Sequence, residues 1–283
     1  MWAKLIDYMC TFSGEVKIPR YAIGKVRISA VTMDETLRLL ERQVQCNKST
    51  YICAPNVRVT IIAQKDERLC QIENKSFLSI PDGMPLVWYA KLAGIRNIGK
   101  VSGPDLMMRV LSISNKQGYS HYFYGSTKTI LESMRKKLTE NFGDLDIRAM
   151  VSPPFRALTD EEKDAIAEEI NCLKPTFVWV GLGAPKQEFW MADMIERIDS
   201  SILVGVGAAF SFSAGKVRRP PEWVSSIGLE WLYRCLQQPI TSRRFIKPFF
   251  KFSYMLAVQA LCCCLKSKAR FWEGKRTCQG EVK

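Results

Sequence analysis

The amino-acid sequence predicts an α/β fold, a mostly parallel sheet with flanking helices, followed by a C-terminal helical appendage. Two observations lead there. From about residue 26 to residue 215, short apolar runs alternate with stretches of helical periodicity, the pattern of parallel strands joined by crossover helices. At residue 216 the pattern breaks: Lys216, Arg218, Arg219, Pro220 and Pro221 interrupt it, and the chain turns basic and aromatic-rich. The boundaries this suggests are a core over 1–215 and an appendage over 216–283. With 283 residues, 47% of them hydrophobic, the chain is long enough to bury a sizeable core.

In chain order, candidate strands fall at 51–54, 77–80, 121–124, 146–151, 176–180 and 202–206, with candidate helices between them. Thr32 with Glu35, and Thr159 with Glu162, have capping-box spacing, in which hydroxyl and carboxylate satisfy amides left open by the first helical turn. Pro104, just after Ser102 and Gly103, suits the first turn of another helix. The alternation reads as a Rossmann-like sheet.

Residues 223–236 read as an aromatic-rich helix. Beyond Pro239, residues 240–283 hold ten Lys and Arg against Glu273 and Glu281, a net +8 of the chain's +13. That asymmetry argues for a partner meeting the C-terminus, either nucleic acid or an anionic membrane. The uncharged run 252–265 is fourteen residues long, whereas crossing a bilayer takes about 20. The segment is therefore expected to lie on a membrane, with Lys247, Lys251, Lys266, Lys268 and Arg270 reaching headgroups. Phe249, Phe250, Tyr254, Met255 and Leu261 would enter the interface. The alternative is a helix docked on the body. A nucleic-acid partner fits less well, because a phosphate-tracking surface does not need a continuous apolar stretch among its cations.

Ten cysteines are scattered or adjacent, and no secretory signal opens the sequence, so free thiols in a reducing cytoplasm are expected. There is no CxxC pair, and His121 is the only histidine. Within the strand-like HYFYG it reads as a packed core residue, which leaves proton transfer to carboxylates. Asp144 and Asp146 have the DxD spacing of metal-dependent nucleotide-sugar enzymes but enter a strand, which argues against a metal role.

Loops after strands carry the chemistry of open α/β sheets. Asn56 follows the first candidate strand and can hydrogen-bond a sugar or a base. Asp82, in Pro81-Asp82-Gly83, is placed either as a general base or as an ordinary turn aspartate. Gly125 and Ser126 open a helix whose free amides suit a phosphate. In the segment 181–188, Gly181 and Gly183 clear space that Lys186 and Gln187 would line, a setting for a diphosphate or sugar. Gly181-Leu182-Gly183 and Gly205-Val206-Gly207 each resemble the start of a dinucleotide fingerprint. Both lack its third glycine, so no nicotinamide, and no other cofactor, is expected.

Taken together, APNVRVTIIAQKD, IPDGMPLVWYAK, KVSGPDL, FYGST, WVGLGAPKQEFW, GVGAAFSFSAGKVRRPPEW and GLEWLYRCLQQP, in this order between Ile28 and Arg244, resemble the WecG/TagA/CpsF glycosyltransferases. The resemblance implies inverting, metal-independent transfer of an N-acetylmannosamine-type or related hexose. The donor is a UDP-sugar and the acceptor a polyprenyl-diphosphate-linked saccharide, in synthesis of cell-surface polysaccharide such as teichoic acid, capsule or exopolysaccharide. It also implies a catalytic base at Asp82, a sugar contact at Asn56 and an active-site glutamine at Gln187. Arg234 and Arg244, with Arg243 close by, would be brought over the site by the appendage, and Lys100 would help them neutralise the departing diphosphate. The implied setting is the inner face of the bacterial membrane, docked through residues 245–270, with self-association away from the bilayer. Three positions depart from the pattern: Ala54 stands where threonine is usual, Lys100 where arginine is common, and Thr241 where another basic residue is often found. Ala54 bears on donor choice and keeps open an inactive family member acting as a scaffold.

Overall fold

A computed structural model describes residues 6–10, 17–217 and 247–258, with positions 221, 224, 228–229, 232–233 and 261. The chain opens with an antiparallel ribbon, β1 (Ile6–Cys10), β2 (Lys17–Ile23) and β3 (Val26–Ser29), in the order β1-β2-β3. Ile23 pairs with Val26 across a two-residue turn in which Gly24 takes φ +61, the left-handed region that suits tight hairpins. The sequence pattern did not announce this ribbon, because β2 carries Arg20 in its middle. Arg20 is nevertheless 2% exposed, and its guanidinium donates to the main-chain carbonyls of Glu73, Asn74, Ser76 and Phe77. A cation satisfied in this way looks polar in the sequence and behaves as a cross-link in the fold.

The α/β body follows. α1 (Met33–Cys46) starts from the expected capping box at Thr32. β4 (Thr50–Cys53) leads into α2 (Val57–Ala63) and α3 (Glu67–Lys75), and β5 (Leu78–Ser79) leads into α4 (Met84–Leu92). α5 (Gly103–Gln117), with Pro104 in its first turn, precedes β6 (Ser120–Gly125), α6 (Lys128–Phe142) and β7 (Asp146–Val151). α7 (Asp160–Leu173) starts from the second expected capping box, and β8 (Phe177–Gly181), α8 (Lys186–Met194), β9 (Ile202–Gly205) and α9 (Ala209–Ser213) follow. All six expected strands are present. They form one parallel sheet in the order β5-β4-β9-β8-β6-β7.

Strand alternation gives this sheet two apolar faces. Along β8, Phe177 and Trp179 share one face with Ile52, Phe123 and Val204, covered by α1, α5, α6 and α9. Val178 and Val180 share the other with Tyr51, Tyr122 and Leu203, covered by α3, α7 and α8. His121 is buried as expected: the Trp179 indole donates to its Nδ1 at 3.1 Å, and burial pulls its pKa down to about 4. Cys46, Cys53, Cys70 and Cys172 are free thiols. A third apolar cluster joins the ribbon to α2, α3 and α4.

The helical segment 247–258 uses this third cluster. Phe252 is 1% exposed against Tyr89 of α4, with ring centroids 6.2 Å apart, and Met255 and Leu256 pack beside it. Met255, expected in a membrane interface, instead faces the body, because a helix three turns long cannot turn all its apolar residues one way. Phe250, Tyr254, Val258 and Leu261 remain exposed. The aromatic-rich stretch 223–236 lies largely outside the described residues, as do Arg234, Thr241, Arg243 and Arg244.

Glu73 of α3 is fully buried, its carboxylate accepting from the Ser79 hydroxyl at 2.9 Å. Burial, reinforced by the nearby Glu188, raises its pKa from 4.5 to about 8. A carboxyl whose folded pKa lies above its unfolded one holds its proton more tightly when folded, so stability falls as pH rises between the two values. Unfolding temperature is therefore expected to drop between pH 4.5 and pH 8, and by less in Glu73→Gln, with the smaller slope that remains coming from Glu188. Calorimetry across that range checks it, and an unchanged slope in the variant would show that Glu73 is already ionised.

Candidate active site

In a parallel sheet every strand ends on the same edge, so loops after successive strands line up. β4 and β5 run in register, Cys53 opposite Ser79, which brings Asn56 and Asp82 to equivalent positions three residues past that pair. Their loops are bonded directly: Asp82 N donates to Pro55 O at 3.2 Å. The Asn56 side chain caps α2, its oxygen accepting from Val59 N at 3.2 Å. Asp82 is half-buried, and Gly83, at φ +130, bends the chain directly into α4.

β9 is the next strand, and over its end sits Gln187. This side chain is 2% exposed and held at both ends: its oxygen accepts from Gly207 N and its nitrogen donates to Glu188 Oε1, both at 2.9 Å. The glycines set aside as an incomplete dinucleotide motif have another use. A Cβ on Gly205 would fall 2.8 Å from Gln187 Nε2, so only glycine leaves the amide its place. Arg58, two residues past Asn56, donates to Ala184 O at 3.1 Å and ties α2 to the loop that launches Gln187. The Ala184–Pro185 peptide bond is cis. Lys186, the first residue of α8, is exposed.

Further along lie β8 and β6. The chain leaves β8 toward β9 and leaves β6 toward β7, so their loops diverge and open the crevice where such sheets bind ligands. Gly181 and Gly125 pair across it, and a Cβ on Gly125 would meet the Gly181 carbonyl carbon at 2.6 Å. Ser126 follows in a left-handed conformation, φ +64. From β5 to β6 the row spans four strand spacings, about 19 Å at about 4.8 Å each, enough for an extended ligand. On the flank, Val101 N donates to Pro81 O at 3.0 Å, which brings Lys100 beside the Asp82 loop. The Lys100 ammonium lies 3.8 Å from the Asp105 carboxylate.

The sequence profile of the "Glycosyl transferase WecG/TagA/CpsF family" matches residues 21–263. The chain belongs to this glycosyltransferase family. An N-acetylglucosaminyldiphosphoundecaprenol N-acetyl-beta-D-mannosaminyltransferase of Bacillus subtilis (strain 168) is 25% identical over 195 residues, 69% of this chain and 74% of that protein. Its namesake in Bacillus spizizenii is 26% identical over 200 residues, 71% of this chain and 76% of the other. The one in Staphylococcus aureus (strain NCTC 8325 / PS 47) is 24% identical over 220 residues, 75% of this chain and 85% of the other.

In this glycosyltransferase, then, the loops bearing Asp82, Asn56, Gln187, Gly181, Gly183, Gly125 and Ser126 share one edge of the sheet. Asp146 is elsewhere: it starts β7, at the opposite end of the strand from the loops, and its carboxylate pairs with Arg148 at 2.8 Å. Among the described residues, no group of three or more His, Cys, Asp or Glu is placed to hold a metal ion.

Sequence reading passed over Glu188. It is 0% exposed, and burial raises its pKa to about 7, so its carboxyl is largely protonated below neutrality. The local signal was a charge directly after a candidate site residue at the start of a helix, and only the fold shows that it points inward. Glu188→Leu removes the acceptor that fixes the Gln187 amide and is expected to lower turnover by roughly 10², the scale of a misplaced site group. Glu188→Gln keeps a carbonyl oxygen for that bond and should retain most activity. Steady-state kinetics of both variants test this, and equal losses would separate Glu188 from Gln187.

Proposed function

We propose that the enzyme transfers an N-acetylmannosamine-type or related hexose from a UDP-sugar to a polyprenyl-diphosphate-linked saccharide, with inversion and without a metal ion. The observation that carries this is the bonded pair of loops holding Asn56 and Asp82, tied through Arg58 to the loop of Gln187. Such an arrangement supports a reading in which a carboxylate and the Asn56 amide meet one small polar ligand at the Asp82 end of the row, with Gln187 bracing the loop behind them. The relatives named above act, by their names, on an N-acetylglucosaminyl-diphosphoundecaprenol and transfer N-acetyl-β-D-mannosamine.

Asp82 accepts the proton of the acceptor hydroxyl as that oxygen attacks the anomeric carbon from the face opposite UDP. Asn56 holds the sugar, and Gln187, bonded at both ends of its amide, holds the Gly207 loop beneath it. The glycine-lined end, Gly181, Gly183, Gly125 and Ser126, admits the diphosphate close to main-chain amides, with Lys186 at its side. Negative charge growing on the leaving diphosphate is met by Lys100 and by Arg234, Arg243 and Arg244, which lie outside the described residues. Arginine forks suit phosphate oxygens better than a lysine point charge.

A lipid-linked acceptor supports a position at the inner face of the bacterial cytoplasmic membrane, with the tail segment 245–270 meeting anionic lipid. Phe250, Tyr254, Val258 and Leu261, exposed on one face of the tail and flanked by Lys247 and Lys251, support that contact. Among the described residues no helix is long and apolar enough to cross a membrane. The body-facing Phe252 and the outward Phe250 let one short helix serve both surfaces. Away from lipid, the same apolar face favours self-association.

Asp82→Asn keeps the size of the side chain but not its basicity and is expected to lower turnover by about 10²–10⁴. Near-normal rates would reject Asp82 as the base. Turnover should persist in excess chelator, and strict dependence on a divalent ion would overturn the metal-independent reading. Phe250→Glu with Tyr254→Glu is expected to abolish co-sedimentation with anionic vesicles while leaving the unfolding temperature unchanged, since both side chains are exposed. Undiminished vesicle binding would remove the tail from the membrane.

A further inference from the structure

A cavity of about 470 Å³ opens on the flank of the molecule, where β2, the start of α1 and the segment 93–97 after α4 converge. It lies at a seam. Ile18, Val31 and Leu39 in its lining belong to the sheet-side core, whereas Ala30 and Ile95 belong to the ribbon-side core. Protein interiors seldom leave voids larger than a water molecule, and this hollow has the volume of a small-molecule site.

Its rim is cationic. Arg38 and Arg42 stand one turn apart on α1, Arg96 comes from the segment after α4, and all three are exposed. Among the described residues none of the three enters an ion pair. Glu35, the acidic residue of the lining, is already engaged: its carboxylate accepts from Thr32 N at 2.8 Å and from Asn97 Nδ2 at 2.5 Å. Arg20 adds a buried positive charge behind the floor, and its hydrogen-bond partners are carbonyls. Among the described residues, the cavity thus joins an apolar floor to three rim guanidinium groups, Arg38, Arg42 and Arg96, that have no carboxylate in ion-pair range.

We propose that this cavity is a binding site for a single-chain phosphorylated amphiphile, its phosphate or diphosphate on the arginine rim and its hydrocarbon on the apolar floor. Guanidinium forks match phosphate oxygens two at a time, which selects phosphate over a bare apolar guest. The cavity lies beside the catalytic row and not on it: Val31 in its wall accepts from Gly99 N at 3.2 Å, next to Lys100. α4 begins beside Asp82 and runs nine residues before reaching Ala93 in the cavity wall, about 13 Å at a helical rise of about 1.5 Å per residue. A prenyl diphosphate is also the lipid part of the acceptor proposed above, so the variant at Arg38 and Arg42, which leaves the Asp82 row intact, is the arm that tells this cavity from the acceptor site.

Isothermal titration of the full chain in excess UDP tests it, with geranyl diphosphate, inorganic pyrophosphate and geraniol as probes. Geranyl diphosphate is expected to bind with one-to-one stoichiometry, at least about tenfold more tightly than pyrophosphate or geraniol, since head and chain both contribute. Arg38→Gln with Arg42→Gln, both exposed, should weaken it by about tenfold or more without moving the unfolding temperature. Unchanged affinity in that double variant would overturn the proposal. So would pyrophosphate or geraniol binding as tightly as geranyl diphosphate, or displacement of geranyl diphosphate by added UDP. Displacement by phosphatidylglycerol vesicles would overturn it in favour of a bilayer contact.

Discussion

The parallel register of β5, β4 and β9 is the constraint on which the candidate site depends. Strand pairing fixes where each strand ends, and the ends fix Asp82, Asn56 and Gly207 in a row. The bond from Asp82 N to Pro55 O then locks two of those loops together, and the bond from Gly207 N to the Gln187 amide locks the third strand to α8. A carboxylate on an isolated turn would be free to solvate. Here its loop is held by the sheet before any ligand arrives, which is the preorganisation that proton transfer and charge stabilisation require.

Buried polar groups hold this frame from behind. Glu73 and Glu188 both lie inside with raised pKa values, and the two terminal nitrogens of Arg20 donate to carbonyls at the end of α3 and just before β5. Arg20 and Glu73 connect the antiparallel ribbon to the parallel sheet. The ribbon is therefore a brace for β5 and for the loop that carries Asp82, and the cavity marks where the brace and the body meet without filling the space.

Much of this was legible in the sequence. Parallel strands buried on both faces read as continuous apolar runs, so β4, β6, β8 and β9 stood out, and the two capping boxes marked α1 and α7 because their chemistry is local. Asn56, Asp82 and Gln187 were found because each follows a strand. What escaped was non-local. Arg20 drew no reading, since four carbonyls more than fifty residues away make its burial possible. Gly205 and Gly207 looked like half a nucleotide motif, since their reason is a glutamine from another helix. The tail read as membrane-lying with a helix docked on the body as the alternative, because periodicity shows an apolar stripe without saying that Phe252 spends part of it on Tyr89.

Ala54 is 6% exposed in the sheet-side core, at the end of β4 two residues before Asn56. A threonine there would add a hydroxyl at the end of β4, close to the Asn56 loop. The most direct measurement is a crystal structure of the enzyme with a UDP-hexose and a short-chain lipid-diphosphate saccharide. The account predicts the acceptor hydroxyl within about 2.6–3.2 Å of the Asp82 carboxylate, on the side of the anomeric carbon opposite the diphosphate. A sugar bound away from the Asn56 and Asp82 loops, or a hydroxyl facing a different base, would contradict it.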